Sequence, residues 1–158
     1  MADLSGGHLV ARTLAQAGVG HIFTLCGGHI LPIYDGCITE NIAVVHMRHE
    51  QAAAHAAGAY ARLTRHIGVA IVTAGPGVTD AVTGVANAYS ARSPVLLIGG
   101  AAPLGLRGLG ALQETEQVGL LRPITKGSWS VAETRQIPEV LTTAIRTALT
   151  GRRCETPG

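Results

Sequence analysis

The chain has 158 residues, enough for one hydrophobic core, so a function that needs a second domain must borrow it from another chain. Hydrophobic residues make up 47%, charged residues 14%, and glycine fills 21 positions; this is too apolar for a disordered chain, too broken for a coiled coil, and suits a globular α/β protein. The net charge of +2 arises from 12 Lys+Arg against 10 Asp+Glu and is dispersed, and aromatics are 3%, so neither a phosphate-tracking stripe nor a base-stacking surface for nucleic acid is expected.

In chain order, Leu9, Val10, Leu14 and Ala17 recur at helical spacing over residues 5–17, and Gly18 is placed to end that helix. His21 to Leu25 is a short β-like run before the pair Gly27-Gly28. Ile30, Ile33 and Tyr34 predict a shorter second helix. Ile42 to Val45 reads as a buried strand, followed by an alanine-rich helix from Glu50 to Leu63. Gly68 to Thr73 is a third strand, broken at Gly75-Pro76-Gly77 before a helix over Val78 to Tyr89, and Pro94 to Ile98 is a fourth. Continuously apolar strands separated by helices predict a doubly wound, mostly parallel α/β sheet with helices on both faces. After Gly99-Gly100 comes a long glycine-rich loop, then a short helix over Glu114 to Leu120, a last strand over Ser128 to Val131 and a closing helix over Ile137 to Leu149. The expected organisation is one domain over residues 1–150 and a frayed, disordered tail over 151–158.

The apolar runs are strand-length, far short of the roughly 20 residues of a membrane span. The N-terminus MADLSGGHLV lacks a basic stretch followed by an apolar one, so a cytoplasmic protein is expected. Cys26, Cys37 and Cys154 form no C-x-x-C pair and are read as reduced, partly buried small hydrophobes. So few charges on so small a domain also predict a large protein interface.

Thr73 to Asp80 places glycines between a strand and a helix, the setting of phosphate-binding turns, but Asp80 falls at the third glycine of G-x-G-x-x-G and no acidic residue follows the next strand. A tight strand-to-helix turn explains it as well. His46, His49, Glu50 and His55 crowd together, yet the six-residue gap between His49 and His55 sends them to different helix faces, and no metal ligands are assigned. Glu50 lies at a strand-to-helix junction, where α/β sheets bind ligands; taken alone it reads as a helix N-terminal carboxylate favoured by the macrodipole, typically by about 0.3–1 kcal/mol. Serines lack a G-x-S-x-G elbow, and Lys126 reads either as a ligand contact or as a solvated cation.

Taken together, FTLCGGHILPIYD (Phe23 to Asp35), RHEQAAAHAAGAYAR (Arg48 to Arg62), VTAGPGVTD (Val72 to Asp80), SPVLLIGG (Ser93 to Gly100), GALQETEQ (Gly110 to Gln117) and PITK (Pro123 to Lys126) occur in an order and at intervals that resemble the N-terminal pyrimidine-binding domain of thiamine-diphosphate enzymes. The likeness is greatest to the acetolactate synthase-like group, which includes 2-hydroxyacyl-CoA lyases. The resemblance implies that Glu50 hydrogen-bonds N1′ of the cofactor's aminopyrimidine and favours its imino tautomer, whose 4′ nitrogen takes the C2 proton. It also implies that Gly27, Gly28, Thr73, Pro76 and Gly77 line the pyrimidine, that Gln113 reaches toward the reacting substrate, and that His29, Leu112 and Lys126 border the substrate. Asp80 stands where many relatives carry asparagine, and Leu112 where phenylalanine often precedes the glutamine.

Relatives in this group usually continue into a middle domain and a diphosphate-binding domain with a G-D-G…N motif for Mg²⁺. The expectation is therefore a split enzyme acting on a 2-keto acid, with thiamine diphosphate shared between chains and Mg²⁺ bound by a partner subunit in a dimer-based heteromer. The alternative is a truncated or degenerate module with a binding or regulatory role. Retention of Glu50, the Gly75-Pro76-Gly77 turn and Gln113 favours the first.

Overall fold

A computed structural model describes residues 5–151. Helix α1 (Gly6–Gln16) leads into strand β1 (His21–Thr24); a single 3₁₀ turn (Gly28–Ile30) and α2 (Leu31–Thr39) follow, then β2 (Ala43–His46), α3 (Glu50–Thr64), β3 (Gly68–Val72), α4 (Pro76–Ser90) and β4 (Val95–Gly99). Beyond the long loop lie α5 (Gln117–Leu121) and α6 (Ile137–Leu149). All four strands are parallel, in the order β2-β1-β3-β4. This is the doubly wound α/β architecture expected from the alternation of apolar strands with helices.

The central strand β3 is apolar at every position and wholly buried because helices cover both its faces. Val69 and Ile71 point into a core built with Leu14, Ile22, Ile33, Leu141 and Ile145 from the α1, α2 and α6 side. Val72 points the other way, toward Ala54 of α3 and Val78, Ala81 and Val85 of α4. Burying each such aliphatic side chain contributes on the order of 1.5–3 kcal/mol. The α3 side is unusually tight. A Cβ on Gly68 would stand 1.9 Å from the Ala57 carbonyl oxygen, and one on Gly84 would stand 2.5 Å from the Ala54 methyl. The alanines of α3 thus let one helix lie flat on both the sheet and α4.

Strand β2 departs from expectation. It was read as buried, but it forms a sheet edge, with Ala43, Val44 and His46 exposed, because the described residues put nothing against its outer side. The strand predicted over Ser128 to Val131 does not form. A cavity of about 1010 Å³ is lined both by Leu96, Leu97 and Ile98 and by Ser128, Trp129 and Val131, so that segment faces β4 without a ladder, and the Trp129 ring folds back over Gly127. Helix α5 begins three residues later than predicted. Glu114 instead accepts from the Gly108 and Ala111 amides, and Glu116 caps the helix by accepting from the Gly119 amide. The expected tail falls on residues 151–158, of which only Gly151 is described. Among the described residues no helix is long and apolar enough to cross a membrane.

Against the expectation of partly buried thiols, Cys37 is fully buried and Cys26 is exposed, and Cys154 lies outside the described residues. Burial pushes the Cys37 thiol from an ordinary 9.0 to about 11, because the low-dielectric core disfavours a thiolate. Iodoacetamide at mild pH should therefore label Cys26 and spare Cys37 until denaturant is added. Since the raised value favours the neutral thiol in the folded state, the stability it supports is intact below pH 9.0 and is lost as pH rises through about 11. Equal labelling of both thiols in the native protein, followed by peptide mass mapping, would contradict this packing.

Candidate functional site

The strand order fixes where a ligand crevice opens. From β1 the chain moves outward to β2, then returns across β1 to β3, so winding reverses between β1 and β3 and their carboxyl ends diverge. The segments leaving those ends, Leu25 to Gly28 and Thr73 to Gly75, wall the crevice.

Thr73 is the point where these walls meet. A Cβ on Gly27 would stand 2.4 Å from the Thr73 Cβ, and one on Gly77 would stand 2.8 Å from its Cγ2, so only glycine admits this approach at either position. The Thr73 hydroxyl is 3.0 Å from His29 Nδ1. Behind His29 lies Gly100, where a Cβ would meet the His29 Cβ at 2.5 Å.

Glu50 opens α3 immediately after the N-cap residue His49, whose Nδ1 accepts from the Gln51 amide at 3.1 Å. The close packing of α3 on α4 turns Glu50 toward the start of α4, and its Oε1 lies 3.6 Å from the position a Gly77 Cβ would take. Glu50 is only 8% exposed, yet its carboxylate has no hydrogen-bond partner among the described residues. Among the described residues the buried side-chain polar atom without a partner is Ser93 Oγ, so the Glu50 oxygens keep contact with solvent, and beside Gly77 they form an acceptor that an incoming hydrogen-bond donor can reach. Asp80, one turn into α4, joins His49 and Glu50 so that one polar atom from each lies within 4.8 Å of the others. In sequence His49 and Glu50 lie near His46 and His55; in the fold the cluster instead includes Asp80, and proximity alone carries no metal assignment.

The long loop returns to the same place. Gln113 has a left-handed φ of 59°, uncommon for a residue with a side chain, and its carbonyl oxygen would be 2.4 Å from a Cβ on Gly75. Gly75 has φ 58° and ψ −110°, a conformation reserved for glycine. Its amide donates to Gln117 Oε1 at 2.9 Å, and Gln117 Nε2 donates to the Gly100 carbonyl at 2.9 Å.

The structure therefore brings together Gly27, His29, Glu50, Thr73, Pro76, Gly77 and Gln113. Gly28 is adjacent but exposed, and a Cβ there would meet nothing within 4 Å. Leu112 points outward at 78% exposure. Lys126 does not extend into the crevice: its ammonium donates to the Thr147, Ala148 and Thr150 carbonyls and caps the C-terminus of α6, favourable against that helix's dipole. Gln117 was not singled out from sequence. Nothing in the polar run Glu114-Thr115-Glu116-Gln117 marks it, because its partners lie 42 and 17 residues away.

The profile of the family described as thiamine pyrophosphate enzyme, N-terminal TPP binding domain, matches residues 4–120. The chain is 51% identical over 153 residues to 2-hydroxyacyl-CoA lyase 2 of Mus musculus, covering 97% of this chain and 24% of the relative. It is 44% identical to acetolactate synthase isozyme 3 large subunit of Escherichia coli (strain K12), covering 96% of this chain and 27% of that protein. The chain thus spans about a quarter of the length of the curated relatives it matches.

The backbone at Gly75 yields a direct test of this geometry. Gly75→Ala combines a disfavoured φ with a clash against Gln113 and should destabilise the fold by at least the roughly 1–3 kcal/mol of such backbone strain. Gly28→Ala, in open space, should stay within about 0.5 kcal/mol of the parent. Urea unfolding of the two variants compares them; equal midpoints would contradict the described Gly75 turn.

Proposed function

The chain belongs to the thiamine pyrophosphate enzymes, matching their N-terminal TPP binding domain, and from that premise we propose that it is the pyrimidine-binding subunit of a split enzyme that cleaves or forms a carbon–carbon bond at a 2-keto acid. The observation that carries the reading is Glu50, a largely buried residue whose carboxylate lacks a partner among the described residues, held beside Gly77, where Thr73 and Glu50 both approach the backbone closely. These residues fit an aminopyrimidine. Glu50 would hold a proton at N1′, and burial would keep that hydrogen bond strong. Gly27, Gly28, Thr73, Pro76 and Gly77 would line the ring, while His29 and Gln113 would face the substrate. When bound, thiamine diphosphate supplies an acidic carbon at C2 that attacks the keto carbon once deprotonated.

The diphosphate end is a different matter. His49, Glu50 and Asp80 bring two carboxylates to one spot, a poor seat for an anion, so in this reading a partner chain supplies the donors and the Mg²⁺. The long loop supports a partner, since it exposes Leu104, Leu106, Leu109 and Leu112, apolar surface suited to an interface. A cofactor shared between two chains favours a dimer-based heteromer. The names of the relatives, a 2-hydroxyacyl-CoA lyase and acetolactate synthases, support carbon–carbon chemistry without choosing between cleavage and ligation.

Calorimetric titration with thiamine diphosphate and Mg²⁺ tests the split arrangement. The isolated chain should show no measurable binding, and its pair with a chain carrying the G-D-G…N domain should bind and turn over. Micromolar binding by the isolated chain would overturn the split. A monodisperse monomer that ignores every such candidate would favour a degenerate module instead. In the pair, Gln113→Ala should alter the ligation step or substrate choice while the cofactor's C2 proton still exchanges at the parent rate; slowed exchange would move Gln113 to the cofactor side.

A further inference from the structure

Gln117, the first residue of α5, is half-buried and uses both ends of its primary amide on backbone groups from distant parts of the chain. Its carbonyl accepts from Gly75, and its NH₂ donates to the Gly100 carbonyl. Gly75 caps α4 in a conformation without a side chain to help it, so Gln117 is the acceptor for its amide among the described residues. Gly100 and Gln117 are also the two feet of the loop over residues 101–116, which carries Leu112 and Gln113. A single side chain therefore closes that loop at its base and bonds the base to the Gly75 turn, with the Gln113 carbonyl packed against Gly75 as a second contact. The primary amide offers an acceptor and a donor together at this reach without needing a proton from solvent; asparagine is one methylene shorter.

We propose that Gln117 is a positioning residue that fixes the substrate-side loop bearing Gln113 against the cofactor-side turn at Gly75, so that the two walls of the crevice are set by one latch. The functional meaning of this latch rests on the reading that the turn borders the cofactor. The latch itself is a statement about three backbone segments.

Two substitutions in the full chain separate the bonds. Gln117→Leu keeps the volume and removes both. Gln117→Glu keeps an acceptor for Gly75 but turns a negative oxygen toward the Gly100 carbonyl, and a proton on that carboxyl restores the donor. Amide hydrogen exchange and ¹⁵N spectra of the parent and both variants, taken at each pH in parallel, read the result. Gln117→Leu should speed exchange at Gly75 roughly three- to tenfold, as for loss of one hydrogen bond, and shift the amides of Ala111 to Glu114 at every pH. Gln117→Glu should show the loop shift at neutral pH and return toward the parent as pH falls through the carboxyl range, about 4 to 5. That acid rescue distinguishes a latch from mere packing. Parent-like exchange at Gly75 in Gln117→Leu, or a Gln117→Glu spectrum whose difference from the parent does not change with pH, would overturn the proposal. None of these readouts uses cofactor. A latch confirmed in a chain that supports no turnover in any pair would sink the functional reading and leave the latch standing.

Discussion

The contact on which the site depends is the crossing of α3 over α4 at Gly84 and Ala54. With a Cβ on Gly84 the helices would have to separate, and the 2.5 Å approach to the Ala54 methyl shows how little room exists. Because Gly68 lets α3 settle onto β3 in the same way, the helix is fixed from two sides. Glu50, at the first turn of that helix, is thereby held beside Gly77 and Asp80 at the start of α4. Small residues in α3 sacrifice aliphatic burial along its length; in exchange the carboxylate sits where no flexible linker could keep it.

The same economy of side chains operates at the switch point of the sheet. Gly27 and Gly77 close on Thr73 from β1's exit and from α4's first turn, and His29 fills the space between Thr73 and Gly100. Three segments far apart in sequence, residues 27–29, 73–77 and 100, thus share one small region. Rigid strands and helix starts, rather than the long loop, carry Glu50 and Thr73. The loop contributes Gln113, which is brought in by backbone packing on Gly75 and by the Gln117 bonds. The rigid part suits a cofactor that must be held in one orientation, and the loop suits a substrate that comes and goes.

Much of this was legible in the chain. Strands such as Val69 to Val72 are apolar at every position because both faces are covered, and that pattern survives in sequence; helices α1, α3, α4 and α6 follow their periodicity to within a few residues. Glu50 was visible as a residue at a junction, but local pattern alone favoured a plain helix-terminus carboxylate. Its burial without a partner is a fact of packing and needed the fold. The misreadings share a cause. Val44 and the Ser128 to Val131 run have strand-like composition, yet whether a strand is covered or paired depends on what lies alongside it. Lys126 caps α6 and Gln117 bonds Gly75 through contacts spanning more than 20 and 40 residues, respectively, and local spacing holds no trace of either.

In the proposed function the Glu50 carboxylate acts on N1′ of the bound pyrimidine. Glu50→Gln keeps the shape and much of the hydrogen-bonding capacity while removing the negative charge, so assembly with the diphosphate-binding chain should survive. Hydrogen–deuterium exchange at C2 of thiamine diphosphate, followed by NMR in the assembled pair, reads the proton transfer directly. Glu50→Gln should slow it by roughly 10²–10⁴-fold, the usual worth of positioned acid–base assistance. Exchange at the parent rate would mean that Glu50 is a helix-terminus carboxylate and nothing more.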